Sequence, residues 1–154
     1  MDLRRVVGHR TLIQAAASII CVDKEGRLLL GRRTDNHMWG YSGGAVEIDE
    51  KIEDCARREL YEEMGITAGE LELFYINSGP EAHYVYPNGD EVSNVDIVFL
   101  CKEYSGSLIC QESEVEELRF LLRRIYLKTS PLPFASLCFN GLPKNVNKNA
   151  CPLV

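Results

Sequence analysis

Three glutamates of this chain have a spacing that would suit a metal site: Glu59, Glu62 and Glu63 stand at positions i, i+3 and i+4. That spacing brings side chains onto one face of an α-helix, where like charges repel by about a few tenths of a kcal/mol per pair. A hard divalent cation that binds oxygen ligands, such as Mg²⁺ or Mn²⁺, is the simplest compensation. Acidic triplets are more often solvated helix faces, so this triplet indicates a metal site only within a larger pattern.

The larger pattern spans residues 44 to 66 and reads G-x5-E-x7-R-E-U-x-E-E-x-G-U, with U an aliphatic residue. At about 7% usage per residue, its seven exact identities would coincide at a given start on the order of once in 10⁸. The pattern resembles the Nudix box, the motif of hydrolases that cleave nucleoside diphosphates linked to another moiety, including MutT-like and ADP-ribose pyrophosphatase-like bacterial proteins. Its positions are filled by Gly44, Glu50, Arg58, Glu59, Leu60, Glu62, Glu63, Gly65 and Ile66.

The resemblance covers roughly residues 10 to 125, and the C-terminal tail matches poorly. Ser42 stands where many members have proline, and Asp49 where many have a glycine before the first box glutamate. Neither departure removes a metal ligand, although both could reshape the loop.

By resemblance, the three box glutamates would ligate Mg²⁺ or Mn²⁺, with the carbonyl of Gly43 as an extra ligand. Divalent metal suits this chemistry because an anionic phosphorus repels the anionic nucleophile, and metal neutralises oxygens and positions a water in line. Gly44, Glu50, Arg58 and Gly65 are predicted to be structural. Glu50 and Arg58 can form the ion pair that holds loop against helix in this family, and Gly65 is a helix stop.

The general base differs among family members, so alternatives stay open. Glu114 occupies the matching loop, with Glu112 as runner-up and a box glutamate as a third choice. A solvated surface acid is the competing interpretation of Glu114. Because metal lowers the pKa of a bound water, an ordinary carboxylate could suffice as the base.

Substrate contacts are predicted on either side of the glycine-rich loop. Arg32 and Arg33 point to opposite faces of a strand, so only one enters the site, and the resemblance favours Arg33 as phosphate clamp. Trp39 and Tyr41 could stack a base or simply pack into the core. The same ambiguity applies to a group in the next hairpin: His83, Tyr84 and Tyr86.

Composition limits the class of protein. A chain of 154 residues with 45% hydrophobic content predicts a single domain over residues 1–154, with residues 130–154 irregular. The net charge of −6 argues against binding to nucleic-acid backbone. Scattered cysteines without a C-x-x-C pair favour buried free thiols in a reducing cytoplasm, and the apolar run 15–22 is too short to span a membrane.

Apolar runs and turn residues predict the secondary structure. Residues 15–22 and 27–33 are predicted to form a hairpin, and residues 31–46 a loop. Residues 51–64 are predicted to form a helix that is capped by Asp49 and that buries Ile52, Cys55, Ala56 and Leu60. A second hairpin is predicted from 82–86 and 92–101 around the Pro-Asn-Gly-Asp turn. The class is α+β. The resemblance implies an α/β/α sandwich with a central mixed β-sheet and a loop-helix-loop motif, whose second helix is best sought at 115–128.

The resulting hypothesis is a Mg²⁺-dependent hydrolase that cleaves a phosphoanhydride of a nucleoside diphosphate derivative by attack of metal-activated water. ADP-ribose, a nucleotide sugar and a nucleoside triphosphate are the leading substrates. The partner is then a small-molecule nucleotide, with a homodimer left open and no membrane. The alternative is a Nudix-like module that senses a nucleotide without cleaving it. Such modules often lose a box glutamate, whereas this chain keeps them all.

Overall fold

The computed structural model describes residues 3–35, 37–86, 88–111 and 113–122. Within these residues one long helix and a 3₁₀ turn over Pro80–Ala82 interrupt a series of strands. The helices are α1 (Arg4–Val7) and α2 (Ile52–Met64). The strands are β1 (Leu12–Cys21), β2 (Arg27–Arg33), β3 (Trp39–Gly40), β4 (Ser42–Ala45), β5 (Ile66–Ala68), β6 (Glu72–Asn77), β7 (His83–Val85), β8 (Glu91–Cys101), β9 (Tyr104–Gly106) and β10 (Val115–Leu122).

The main sheet has the strand order β4-β1-β8-β6, with β7 also paired to β8. Strands β1 and β8 run parallel from the pair Leu12 and Val92 to the pair Cys21 and Cys101, and the other pairings are antiparallel. The sheet is therefore mixed, and the predicted α+β class is confirmed. The β7–β8 pairing also confirms the predicted second hairpin.

A smaller sheet has the order β10-β2-β3. The predicted hairpin of β1 with β2 is wrong as a pairing, because only the isolated bridge between Val22 and Leu28 joins these segments. Each strand instead has a long partner from elsewhere in the chain, β8 for β1 and β10 for β2. Buried side chains from β1, β2 and β8 pack together in one cluster: Ile20, Leu28, Leu30, Val98 and Leu100.

Helix α2 packs against β1 and β4 and buries Cys55, Ala56, Leu60, Glu63 and Met64, while Ile52 is only partly buried. Asp49 was predicted as its N-cap, which is wrong: Lys51 precedes the first helical residue in an extended conformation without a side-chain cap. Asp49 has a φ of 65° and lies outside the helix. Gly65 ends the helix as predicted, with a left-handed φ of 74° and an N–H donated to the Tyr61 carbonyl.

Two further predictions need correction. The predicted loop 31–46 contains the short strands β3 and β4, which are stabilised by pairing with β2 and β1. The helix sought at 115–128 is a strand through Leu122, because β10 pairs with β2 along its length. Residues 123–128 and the tail predicted to be irregular lie outside the described residues.

The cysteines within the described residues are free, and Cys21, Cys55 and Cys101 are buried, as predicted. Cys138 and Cys151 lie outside the described part of the chain. No described helix has the length and apolar character that crossing a membrane requires.

Candidate active site

The three box glutamates lie on α2, and the guanidinium of Arg58 stands among them. Its Nη1 is 2.6 Å from Glu59 Oε1 and 3.1 Å from Glu62 Oε2. Among the described residues, no three acidic, histidine or cysteine side chains already converge as ligands around one point. The patch as it stands is therefore neutralised in part by an internal cation. The hydrogen bonds of Arg58 with Glu50 and then with Glu59 and Glu62 raise the pKa of its guanidinium above the usual range.

Arg58 also forms a bidentate ion pair with Glu50. Its Nε lies 2.8 Å from Glu50 Oε1, and its Nη2 lies 3.0 Å from Oε2. The backbone N–H of Glu47 donates to the same carboxylate at 2.9 Å. The Arg58 hydrogen bonds and that of Glu47 lower the pKa of Glu50 to about 2. This geometry joins the loop before α2 to the helix, which is the structural role predicted for the pair.

Glu63 is the most buried carboxyl group of the patch, with 8% of its surface exposed. Burial is the main reason that its pKa rises to about 7, and the negative charges of Glu59 and Glu114 raise it further. The buried Ser42 hydroxyl and Arg33 act in the opposite direction, although the Ser42 oxygen lacks a well-formed hydrogen bond among the described residues. Such a carboxyl group would gain stabilisation from an added cation.

Gly44 brings the backbone of β4 directly against Glu59. A Cβ atom on Gly44 would lie 2.4 Å from the Glu59 carboxyl carbon, far inside van der Waals contact. The lack of a side chain at Gly44 is thus required by the position of Glu59. Burial raises the pKa of Glu59, while the neighbouring Arg58 lowers it.

Gly43 has the same relation to the main sheet. A Cβ atom there would lie 2.2 Å from Ser18 Oγ on β1. Ser18 donates a hydrogen bond of 2.9 Å to Asp96 Oδ1 on β8. The backbone of β4 therefore lies between two groups of side chains. Gly44 contacts the acidic face of α2, and Gly43 contacts Ser18, which is bonded to Asp96 in the main sheet.

Glu114 lies just before β10, and its backbone carbonyl accepts the N–H of Thr34 at 3.0 Å. Burial is the main cause of the raised pKa of Glu59 and Glu63, and the negative charge of Glu114 adds to it. Glu112, the alternative base, lies outside the described residues.

A cavity of about 390 Å³ opens beside the two glycines. Arg33 contributes to its wall and is held by Asp35 through two hydrogen bonds of 2.9 Å, which raise the pKa of the guanidinium. Arg32 points elsewhere, with its Nε 2.8 Å from Glu116 Oε2. The structure thus places the two arginines on different partners and puts Arg33 at the cavity.

Aromatic side chains form much of the remaining wall. Trp39 and Tyr41 line the cavity and also pack against the core cluster near Leu28, so their packing into the core is observed and the stacking of a base stays a prediction. Tyr84 and Tyr86 line it too, with ring centroids 5.0 Å apart in an edge-on arrangement.

The floor of the cavity is polar and was not predicted from the sequence. It is formed by side chains from three strands: Gln14 and Ser18 from β1, Asn94 and Asp96 from β8, and Asn77 from β6. Asn94 and Asp96 are two positions apart, on one face of a strand whose remaining residues from Val95 onward are apolar, and this spacing was the available signal.

The chain matches the NUDIX domain family over residues 12–133, most of its length. It belongs to the Nudix family. A MutT-like protein of Streptomyces ambofaciens is 39% identical over 87 residues, covering 56% of this chain and 50% of that protein. The NAD-capped RNA hydrolase NudC of Haemophilus influenzae is 30% identical over 122 residues, covering 73% of this chain and 41% of that protein.

The chain thus spans half or less of the length of these two curated Nudix relatives. Among solved structures, the MutT protein from Methanosarcina mazei has the same fold, with a TM-score of 0.64 at 22% identity. The match covers 84% of this chain and 92% of that one.

Proposed function

We propose that this Nudix domain is a hydrolase that uses a divalent metal, Mg²⁺ or Mn²⁺, to cleave a phosphoanhydride bond of a nucleoside diphosphate derivative. The observation that carries the proposal is the direct contact of the Gly43–Gly44 backbone with both the acidic face of α2 and the cavity. A ligand in the cavity would have its phosphates beside the carboxylates.

The residues present suit a divalent cation. Glu59, Glu62 and Glu63 supply oxygen atoms, which Mg²⁺ prefers, and burial raises the pKa values of Glu59 and Glu63, so both carboxylates would be stabilised by an added cation. We propose these three glutamates and the Gly43 carbonyl as the metal-holding groups. When bound, the metal would neutralise phosphate oxygens and lower the pKa of a water.

The remaining chemistry falls to the protein side chains. Arg33, whose Nε and Nη2 donate to Asp35, would bind a phosphate. Glu114 would accept the proton of the attacking water, and Trp39 and Tyr41 would contact the nucleoside. The Glu50–Arg58 pair would hold the loop and helix in register.

The finer identity of the substrate belongs to the same proposal. NudC is named as a hydrolase of NAD-capped RNA, which contains a nucleotide anhydride, and this supports a nucleotide derivative here. ADP-ribose, nucleotide sugars and nucleoside triphosphates remain the substrates that we propose. We further propose that residues 1–154 fold as one domain that acts in the cytoplasm, and the homodimer stays a sequence-based prediction.

The direct test is phosphate release by the purified protein from a panel of nucleotide anhydrides, with Mg²⁺ and with a chelator. We expect Mg²⁺-dependent turnover of at least one anhydride, no cleavage of AMP, and entry of heavy oxygen from labelled water into a phosphoryl product. Binding of a nucleotide without turnover of any anhydride would favour the sensing module instead. A trapped phospho-enzyme would contradict the reaction class.

A further inference from the structure

The polar floor contains hydrogen-bond acceptors with unused capacity. Asn94 Oδ1 is shielded from solvent and has no hydrogen-bond partner among the described residues. A buried acceptor left unpaired costs about 1–3 kcal/mol, so a partner from outside the protein would be favourable. The side chain of Asn94 lines the cavity, so a rotation of its amide group would bring Oδ1 to a ligand bound there.

Asp96 lies two residues further along the same face of β8. It accepts one hydrogen bond, from the Ser18 hydroxyl at 2.9 Å, through Oδ1. A carboxylate has about four lone-pair sites, so most of its accepting capacity is left for a ligand. Asn94 and Asp96 therefore both line the cavity, and each carries an oxygen with unused capacity to accept a hydrogen bond.

The walls of the cavity are suited to a flat ring. Trp39, Tyr41, Tyr84 and Tyr86 all contribute to them, and aromatic faces favour stacking with a nucleobase. A base between such walls would direct its edge at the floor. Sugar hydroxyls can donate to the same atoms, but a planar nucleobase gains more from stacking on these rings.

We infer that Asn94 and Asp96 are specificity-determining residues that accept hydrogen bonds from the exocyclic amino group of a nucleobase. The inference rests on the proposed function in taking the cavity as the nucleotide site. An oxo group at the same ring position would set a lone pair against the two acceptors. The site therefore selects amino-bearing bases over their deaminated counterparts.

The test uses nucleoside monophosphates, whose binding does not depend on turnover. Affinities are measured by calorimetry for two matched pairs, AMP with IMP and CMP with UMP, in which an amino group is replaced by an oxo group. We expect the wild type to bind the amino member at least about 10-fold more tightly in one pair or both. Equal or tighter binding of the oxo member in both pairs would overturn the inference, as would no binding of any of the four.

Two variants locate the preference. Asn94→Leu removes the acceptor at similar size and should reduce the amino-to-oxo ratio to within about threefold. Asp96→Asn keeps the shape but presents an amide N–H, so it should also reduce the ratio, or invert it. Val95→Thr, an isosteric change between them on the opposite face of β8, is the control and should keep the wild-type ratio. Folding of each variant is checked by circular dichroism.

The outcomes separate the two proposals. A preference lost in either floor variant and kept in Val95→Thr supports the inference even if no anhydride is cleaved. Equal weakening of all four nucleotides by both floor variants would show that these residues support the cavity without reading the base. Turnover of anhydrides without any base preference would leave the hydrolase proposal intact and remove this inference alone.

Discussion

The acidic face of α2 and the polar floor of the cavity are built in opposite ways. The acidic face comes from one continuous helix, where Glu59, Glu62 and Glu63 repeat with the helical period. The floor comes from three strands, and its members Ser18 and Asp96 are 78 positions apart in the sequence. One region is local in sequence, and the other exists only after the strands have paired.

The two regions also handle negative charge differently. On the helix, the Arg58 guanidinium contacts three carboxylates and provides an internal counter-charge. On the floor, the neutral hydroxyl of Ser18 donates a hydrogen bond to Asp96, and burial raises the pKa of that carboxyl group. The comparison supports the proposal of a cation site on the helix face and indicates that the floor suits neutral hydrogen-bonding groups.

The largest effect is expected on the helix side, from Glu63→Gln. The change keeps size and hydrogen bonding but removes a negative charge beside the proposed metal, so kcat should fall roughly 10²- to 10³-fold. The matched control is Glu53→Gln on an exposed position of the same helix, which should retain activity. Steady-state kinetics with saturating Mg²⁺ checks both variants, and near-normal turnover by Glu63→Gln would contradict the proposed site.

Next comes Glu114→Gln, which tests the base outside the helix. If Glu114 accepts the proton from water, kcat should fall about 10²-fold while the Mg²⁺ concentration for half-maximal activity stays near that of the wild type. Unchanged kcat would return the role to Glu112 or to a box glutamate.

Gly44→Ala probes the contact between helix face and loop. The new Cβ would lie 2.4 Å from the Glu59 carboxyl carbon and must displace it, so we expect about a 10-fold loss of kcat with the fold retained. Gly40→Ala is the matched control, because a Cβ at Gly40 meets nothing within 4 Å. Equal activity of the two variants would show that the exact position of Glu59 is unimportant.

The smallest effect concerns stability in acid. In the folded state, hydrogen bonds from Arg58 and Glu47 lower the pKa of Glu50 to about 2, below its ordinary value of 4.5. The ion pair with Arg58 therefore stabilises the fold fully above pH 4.5, and this stabilisation is lost as the pH falls toward 2. Glu50→Gln should therefore lower the melting temperature at pH 6 and flatten its decline between pH 5 and pH 2. Thermal melts monitored by circular dichroism measure this, and parallel curves for the two proteins would count against the ion pair.

The sequence predicts local features well and long-range pairings poorly. The bounds of α2 and the stop at Gly65 follow from helical spacing and a left-handed glycine. The turn before β8 follows from Pro-Asn-Gly-Asp. The predicted N-cap at Asp49 was wrong because Asp49 takes a left-handed conformation outside the helix. The next residue, Glu50, uses its carboxylate to accept hydrogen bonds from Arg58 and from the backbone of Glu47.

Strand partners could not be predicted, because they depend on residues far away in the chain. Residues 115–122 contain good helix formers, yet pairing with β2 makes them a strand. The box residues lie close together in the sequence, so their spacing was enough to identify them. Asn77, Asn94 and Asp96 were missed because only the strand pairing brings them together. Their shared position is a property of the mixed sheet.

The sparse pairing between β1 and β2 affects how a bound ligand would stabilise the fold. The cavity floor belongs to the mixed sheet, whereas Arg33 and Trp39 belong to the smaller one. Because one isolated bridge at Val22 and Leu28 joins the two strands there, a nucleotide that touches both floor and wall would act as a cross-link between sheets. A nucleotide that spans both should therefore raise the unfolding temperature by more than free phosphate does, since phosphate reaches one side only.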